Sequence, residues 1–476
     1  MQLKGGGKVR KALMMIICVA LGAGLFFGVD RMWLKRVPET TDEQVTLSKI
    51  EKAQKIIQES YVDKVDADKL MDGALKGMVA ALNDPYSVYM DKDASKQFNE
   101  SLHSSFSGIG AEITKQDGQF VVVSPLKESP AEKAGLKPND VIKKVDGDEV
   151  ASLTIYELTS KIRGPKGSRV QLNIERGQSE KELTVTVVRD DIPIETVSHS
   201  VFEQDGVKTG YIEITTFAEG TGQDVQKALE KLEKEEITGL ILDVRGNPGG
   251  LLSSVEEVLD PFITDRKPFM YVEERNGNRE PLTAKTKEKK EYPAVVLIDG
   301  GSASAAEILA AAMREVEGTT LIGTKTFGKG TVQQSLDLGD GSQMKLTVSK
   351  WLTPDKRWIH KKGIEPTIEV VQPDIFSLSP LQSAVILKKG MNDERIASLQ
   401  RLLEGLGYDI DRKDGYFNTK TEEAVMKFQK TAGLKETGEV NTSTLKKLEE
   451  TLTAYQENVN HDHQLQSALD FLGKNQ

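Results

Sequence analysis

Three times in the middle of the chain a short apolar run rich in β-branched residues stops at a glycine-bearing loop. Residues 240–244 (LILDV) run into Arg245-Gly-Asn-Pro-Gly-Gly250, and a helical pattern starts at Leu251. Residues 294–299 (AVVLID) run into Gly300-Gly-Ser-Ala-Ser-Ala-Ala-Glu307, and strong helix formers follow from Ile308 to Met313. Residues 319–323 (TTLIG) run into Lys325-Thr-Phe-Gly-Lys-Gly-Thr331. Apolar runs of this length read as buried strands. Strands alternating with helices build an open α/β sheet. In such a sheet the loops at the carboxyl ends of the strands converge on one crevice. The three loops therefore bring together a serine, a lysine and a paired glycine turn.

That set is sufficient for acyl transfer. Ser304 is the candidate nucleophile, and a serine hydroxyl needs a neighbouring base. The chain has 5 histidines, and none lies in these loops. Lys329, between Gly328 and Gly330, is the better candidate. A free lysine titrates near about 10.4, and burial lowers that value by disfavouring the ammonium. Backbone N–H groups of Ala305, at a helix start, and of Gly249 or Gly250 are the expected oxyanion donors. Simpler readings compete. Ser304-x-x-Glu307 is also a helix capping box, which is the commoner use of that pattern. Residues 323–329 come close to a phosphate-binding loop, but Gly330 stands where the magnesium-ligating Ser or Thr belongs. Residues 343–351 then alternate as a strand does, where a phosphate loop would open a helix.

Residues 243–252 (DVRGNPGGLL), 301–308 (GSASAAEI) and 327–333 (FGKGTVQ) resemble the signature of the C-terminal processing peptidases, and the likeness covers nearly all of the chain after residue 45. The resemblance implies a serine endopeptidase with a Ser–Lys dyad and a PDZ domain. By it, Ser304 matches the nucleophile, Lys329 the general base and Gln333 the residue that orients the lysine. Ala306 stands where such peptidases often carry a second serine, which leaves the dyad intact. The competing reading from another class is a non-catalytic, wall-associated peptide-binding or scaffold protein.

The 476 residues suit several domains. A net charge of −10 argues against nucleic acid as a partner, since binding phosphates needs a basic stripe. The single cysteine, Cys18, rules out an internal disulfide, and no Cys/His spacing fits a metal site. No cofactor is expected. Lys4, Lys8, Arg10 and Lys11 precede an uncharged run over residues 12–29. It is long enough to cross a membrane once, with the positive flank inside and the rest of the chain extracytoplasmic. A cleaved signal peptide is the alternative.

The expected order is therefore a multidomain chain. Residues 1–35 form a cytoplasmic stub and anchor, and residues 36–104 form a helical region. By the resemblance, that region helps pair two subunits. Residues 105–191 resemble a PDZ domain. Gly108, Ile109, Gly110 and Ala111 match its carboxylate-capturing loop, and residues 154–163 are a helix beside the groove. Such domains add a peptide as a strand to a sheet edge, so substrate C-termini are the expected partners. Arg163 is a candidate link from the groove to the core. Residues 192–381 are the α/β protease core, within which the Lys- and Glu-rich residues 276–292 read as a solvated excursion. Residues 382–450 resemble a small three-helix peptidoglycan-binding domain, which makes peptidoglycan a candidate partner. There Asn418 stands where that family usually has glycine. Residues 451–476 end in an amphipathic tail helix.

Overall fold

The computed structural model describes residues 41–102, 105–116, 118–177, 182–204, 206–381 and 385–474. The expected anchor, residues 12–29, lies outside the described residues. Among the described residues no helix is long and apolar enough to cross a membrane.

The core is a six-stranded sheet in the order Val197–Gln204, Val207–Ile214, Gly239–Asp243, Ala294–Ile298, Thr320–Gly323, Ile368–Glu369. The first pair is antiparallel and the rest are parallel. Gly239–Asp243 is buried at every position, which is why it reads as one apolar run and not an alternation. Helices Thr221–Lys234, Leu252–Leu259 and Ala305–Glu317 cover one face with Val225, Leu229, Val255, Leu309 and Met313. The tail helix His463–Lys474 covers the other with Leu465, Ala468, Leu469 and Leu472. Arg245 fastens that tail: its two terminal nitrogens donate to Asp462 Oδ1 and Oδ2 at 2.9 and 2.8 Å.

A second, antiparallel sheet packs beside the first. Gln343–Leu352 is its central strand, paired with Thr331–Asp337 on one side and with Val88–Met90 and Pro268–Glu274 on the other. Two expectations change here. Residues 36–104 are not helical throughout: helices Thr41–Ser60, Ala67–Ala80 and Lys92–Leu102 are interrupted by Val88–Met90, which joins the core. Three residues are too few to show a period in sequence. Residues 276–292 are not one solvated excursion either, because Arg279–Thr283 pairs with Pro268–Glu274 as an edge strand. Four of its five side chains face water, so its composition reads as loop.

Six antiparallel strands from Ala111–Gln116 to Glu182–Val188, with helices Pro130–Lys133 and Ile155–Ile162, enclose a separate core of Phe120, Leu158, Val170, Leu172 and Ile174. Ser105–Gly108 pairs with Asp190–Pro193 and draws the ends of this module together. Helices Glu394–Gly405, Thr419–Thr431 and Thr442–Gln456 enclose a third core around Leu399, Phe417, Val425 and Leu448. The last of these runs past residue 450. Asn418 is an N-cap, its Oδ1 accepting from Thr421 N at 2.8 Å, so the position favours Asn for its oxygen.

Candidate active site

The nucleophile loop is a sharp strand-to-helix turn. Ser304 stands at the start of helix Ala305–Glu317 with φ 55° and ψ −113°, a conformation that side chains other than glycine adopt at a cost. Close packing holds it there: a Cβ on Gly249 would come within 2.8 Å of both Ala303 O and Ser304 Cβ. The φ of 102° at Gly249 and of 149° at Gly250 let the paired-glycine turn lie against the serine. Asn247, fully buried, braces that turn by donating to Ile214 O at 2.7 Å and accepting from Gly249 N at 2.8 Å.

This bond narrows the choice of oxyanion donors. The Gly249 N–H is committed to Asn247 Oδ1. Its carbonyl accepts from Phe217 N and Thr216 Oγ1, both at 2.9 Å. Gly250 N and Ala305 N, the latter in the first turn of its helix, make no such side-chain contact among the described residues. They remain as the donors that can face a developing oxyanion.

Glu307 ties this loop to the lysine loop. Its Oε2 accepts from Ser304 N at 2.9 Å and from Lys329 N at 2.8 Å, so one oxygen is shared by the two backbones. Its Oε1 accepts from Thr326 Oγ1 at 2.6 Å and Gly328 N at 2.7 Å. Burial pushes this carboxyl up, and the four donors oppose the push. A carboxyl whose two oxygens accept from three N–H groups and a hydroxyl is best satisfied as the anion. Sequence reasoning counted Glu307 only as a capping partner. The signal for its second role was the glycine-flanked lysine loop, whose N–H groups need a buried acceptor.

Lys329 is 3% exposed. Its amine lies over the Tyr86 ring, 5.1 Å from the centroid. Burial, helped by the neighbouring Lys345, lowers its pKa to about 7 against the opposing effect of Glu307 and Asp84. Gln333, fully buried, donates to Thr331 Oγ1 at 2.9 Å and Thr347 Oγ1 at 3.2 Å. Its Oε1 has no hydrogen-bond partner among the described residues, so the expected bond orienting Lys329 is not made in this structure. Tyr86 also meets the His360 ring edge-on, and His360 stacks on Trp358. Thus a histidine absent from the three loops does stand close by. Burial pushes its pKa down. Among the described residues no group of His, Cys, Asp and Glu side chains could hold a metal ion.

In the PDZ-like module the predicted Gly108–Ala111 loop runs between Ser105–Gly108 and the edge strand Ala111–Gln116. Gly110, with φ 70°, packs where a Cβ would strike Ser129 at 2.5 Å. Ile109 O accepts from Ala131 N at 2.7 Å. Lys115 Nζ donates to Leu153 O at 2.6 Å, which places the open strand edge beside helix Ile155–Ile162. Arg163 ends that helix. It reaches neither the parallel sheet nor the serine loop: it pairs with Glu100 Oε2 at 3.0 Å and lies over the Phe106 ring at 4.6 Å.

A serine in a strained turn, a buried amine and orphan N–H groups on an α/β sheet define a serine peptidase core, here joined to two smaller modules. Profiles of known families agree with this division. Peptidase family S41 matches residues 208–370, a PDZ domain 107–187, a peptidoglycan binding domain 392–448, and the activating protease CtpB N-terminal domain 28–94. Carboxy-terminal processing protease CtpB of Bacillus subtilis is 48% identical over 460 residues, covering 95% of this chain and 96% of that protein. CtpA of the same organism is 42% identical over 426 residues, covering 90% of each. A solved photosystem II D1 C-terminal processing protease is 28% identical, covering 70% of this chain and 94% of its own, with a TM-score of 0.42. The chain belongs to the carboxy-terminal processing proteases of peptidase family S41 and is a serine peptidase with PDZ and peptidoglycan-binding domains.

Proposed function

We propose that the chain hydrolyses peptide bonds through a Ser304–Lys329 dyad. The observation that carries this reading is the Glu307 carboxylate, which holds the backbones of both residues on one oxygen while the lysine is buried enough to lose its charge near neutrality. Ser304 Oγ attacks the scissile carbonyl, and Lys329 Nζ takes its proton. Gly250 N–H and Ala305 N–H bind the oxyanion. The ammonium then returns the proton to the departing amine, and water, deprotonated in turn by Lys329, releases the acyl group. Gln333 takes up its orienting role if its unpartnered Oε1 turns to the lysine amine once substrate is bound.

Around this centre, the edge strand Ala111–Gln116 receives the C-terminal tail of a protein substrate as an added strand. The uncharged run before the described residues anchors the chain, with the peptidase outside the cytoplasm, where the helical module meets peptidoglycan. Ile56, Ile57, Met71 and Met78 are exposed apolar side chains on the first two helices and form the face through which two copies pair.

The test is digestion of an unfolded protein by the full chain. Wild type should cut it, and Ser304→Ala and Lys329→Ala should each leave it intact while remaining cooperatively folded. Turnover by folded Lys329→Ala at the wild-type rate would end the dyad reading and turn attention to His360.

A further inference from the structure

A second lysine is buried in the same pocket, and the dyad does not use it. Lys345 is 1% exposed, in the middle of the central strand Gln343–Leu352. Buried lysines are rare unless something requires them. Alternation along the strand puts Lys345 on the face of Thr347, whose hydroxyl accepts from Gln333 Nε2. The register carries this further: Thr347 stands opposite Gln333, and Lys345 opposite Ser335. Lys345 therefore sits one step along the sheet face from the Gln333–Thr347 pair.

One stretch of chain walls off both amines. Residues 84–98 lay the Tyr86 ring against the Lys329 amine at 5.1 Å and the Phe98 ring against the Lys345 amine at 4.8 Å. Ser87 pins the stretch down, its hydroxyl accepting from Thr347 N at 3.0 Å and donating to Asp84 Oδ2 at 2.6 Å. The charges facing the pocket can be named. Glu307 comes from the nucleophile helix and has both oxygens filled by four donors. Asp84 comes from the wall, and hydrogen bonds from Ser87, Thr347 and Tyr86 N keep it ionised. His360, across the Tyr86 ring, is pushed toward its neutral form. Two buried amines thus lie under one wall, with Asp84 acting on both and Glu307 on Lys329.

We propose that Lys345 is a positioning residue: its buried ammonium keeps a second positive charge out of the enclosure and thereby holds Lys329 in the neutral, basic form. The inference rests on the dyad reading above. Two like charges in one dry site cannot both be kept cheaply, so the pair releases its protons in two steps. Burial lowers both amines, Lys329 to about 7 and Lys345 to about 8, and the charge of Lys345 adds to the lowering of Lys329. Asp84 favours the ammonium of Lys345, while burial works against it.

The experiment follows the rate at which an alkyl fluorophosphonate labels Ser304 in the full chain as pH is raised from acid to alkaline. This readout needs neither a substrate nor the PDZ groove. Wild type should show one rising limb, and Lys329→Ala should abolish it. Loss of the limb in Lys329→Ala establishes the dyad apart from any role of Lys345. Lys345→Met should move the midpoint upward by about one pH unit, labelling about tenfold more slowly on the acid side and equally at the alkaline plateau. Lys345→Arg keeps the charge and should leave the midpoint at or below the wild-type value. A folded Lys345→Met chain with an unmoved midpoint overturns the proposal, as does an Arg variant displaced like the Met one. Trace acetylation of wild type by acetic anhydride tests the same point without substitution. Each amine, scaled to its own plateau, should become reactive in the order Lys329, then Lys345, and the reverse order is equally fatal.

Discussion

Replacing Lys329 by Met should abolish activity and make the protein more stable. The unfolded amine titrates at 10.5 and the folded one at about 7. Every tenfold weakening of proton binding on folding corresponds to about 1.4 kcal/mol. At pH 7 the folded state therefore bears a cost of about 4 kcal/mol for denying that amine its proton. Met keeps the unbranched stem, removes the ionisable group and places sulfur against the Tyr86 ring. Allowing for imperfect repacking, the gain should be about 2–4 kcal/mol. The pH dependence is the sharper test. Between pH 7 and 10.5 the unfolded chain binds the extra proton, so wild type gains stability as pH rises, and the advantage of the variant shrinks to nothing above 10.5. Below pH 7 both states are protonated and the advantage is full. Urea titrations of both chains at several pH values, followed through the peptidase-core transition, measure the difference directly. A variant no more stable at pH 7, or a difference that is flat up to pH 11, would refute the claim that burial sets the lysine's charge.

Other outcomes follow from the same contacts. Proteolysis by wild type should rise with pH through about 7 as Lys329 loses its proton, and a level profile from pH 6 to 9 would exclude the lysine as base. Glu307→Gln sets an NH2 group against two of the four donors. It should cost about 2–4 kcal/mol in denaturant stability and lower kcat at least tenfold, and wild-type behaviour in both would show that the clamp is dispensable. Asn247→Ala frees the Gly249 turn and should reduce kcat about 10- to 100-fold with KM little changed, read by steady-state cleavage of a short peptide. Gly250→Ala puts a Cβ within 2.1 Å of Phe217 O at a φ of 149°, so soluble, folded and active material would contradict the geometry.

The parts of the site that were legible in sequence are those that one loop contributes whole. Ser304 before its helix, the glycine pair before Leu251 and Lys329 between two glycines each carry their own local reason for being there. Contributions made across the chain were not legible. Tyr86 and Asp84 reach the lysine only because Val88–Met90 pairs with Gln343–Lys345, a register that no local pattern announces. Lys345 looks like a solvated strand lysine until that pairing and helix Lys92–Leu102 cover it. The choice between Gly249 and Gly250 as oxyanion donor was not legible for a similar reason. Glycine turns were recognised as donors, but whether a particular N–H is spare depends on where the Asn247 side chain folds. The edge strand Arg279–Thr283 was hidden by its polar composition.

These misses share a physical origin that bears on how the base is made. A serine hydroxyl can be positioned by its own turn, but a lysine becomes a base near neutral pH only where water is excluded, and exclusion takes walls from several elements. Here Glu307 comes from the nucleophile helix, Lys345 from the second sheet, and Tyr86 from a segment more than two hundred residues earlier in the sequence. On the proposed dyad, the chemistry depends on the docking of residues 84–98 as well as on the two loops. If that stretch lifted, Lys329 would be hydrated, its pKa would return toward 10.5 and the proposed base would be lost with the backbone of both loops still in place. Helix Lys92–Leu102 carries Phe98 over Lys345 and also Glu100 against Arg163. The covering of Lys345 and the contact with the PDZ domain are thus made by one helix, a few residues after the Tyr86 that covers Lys329.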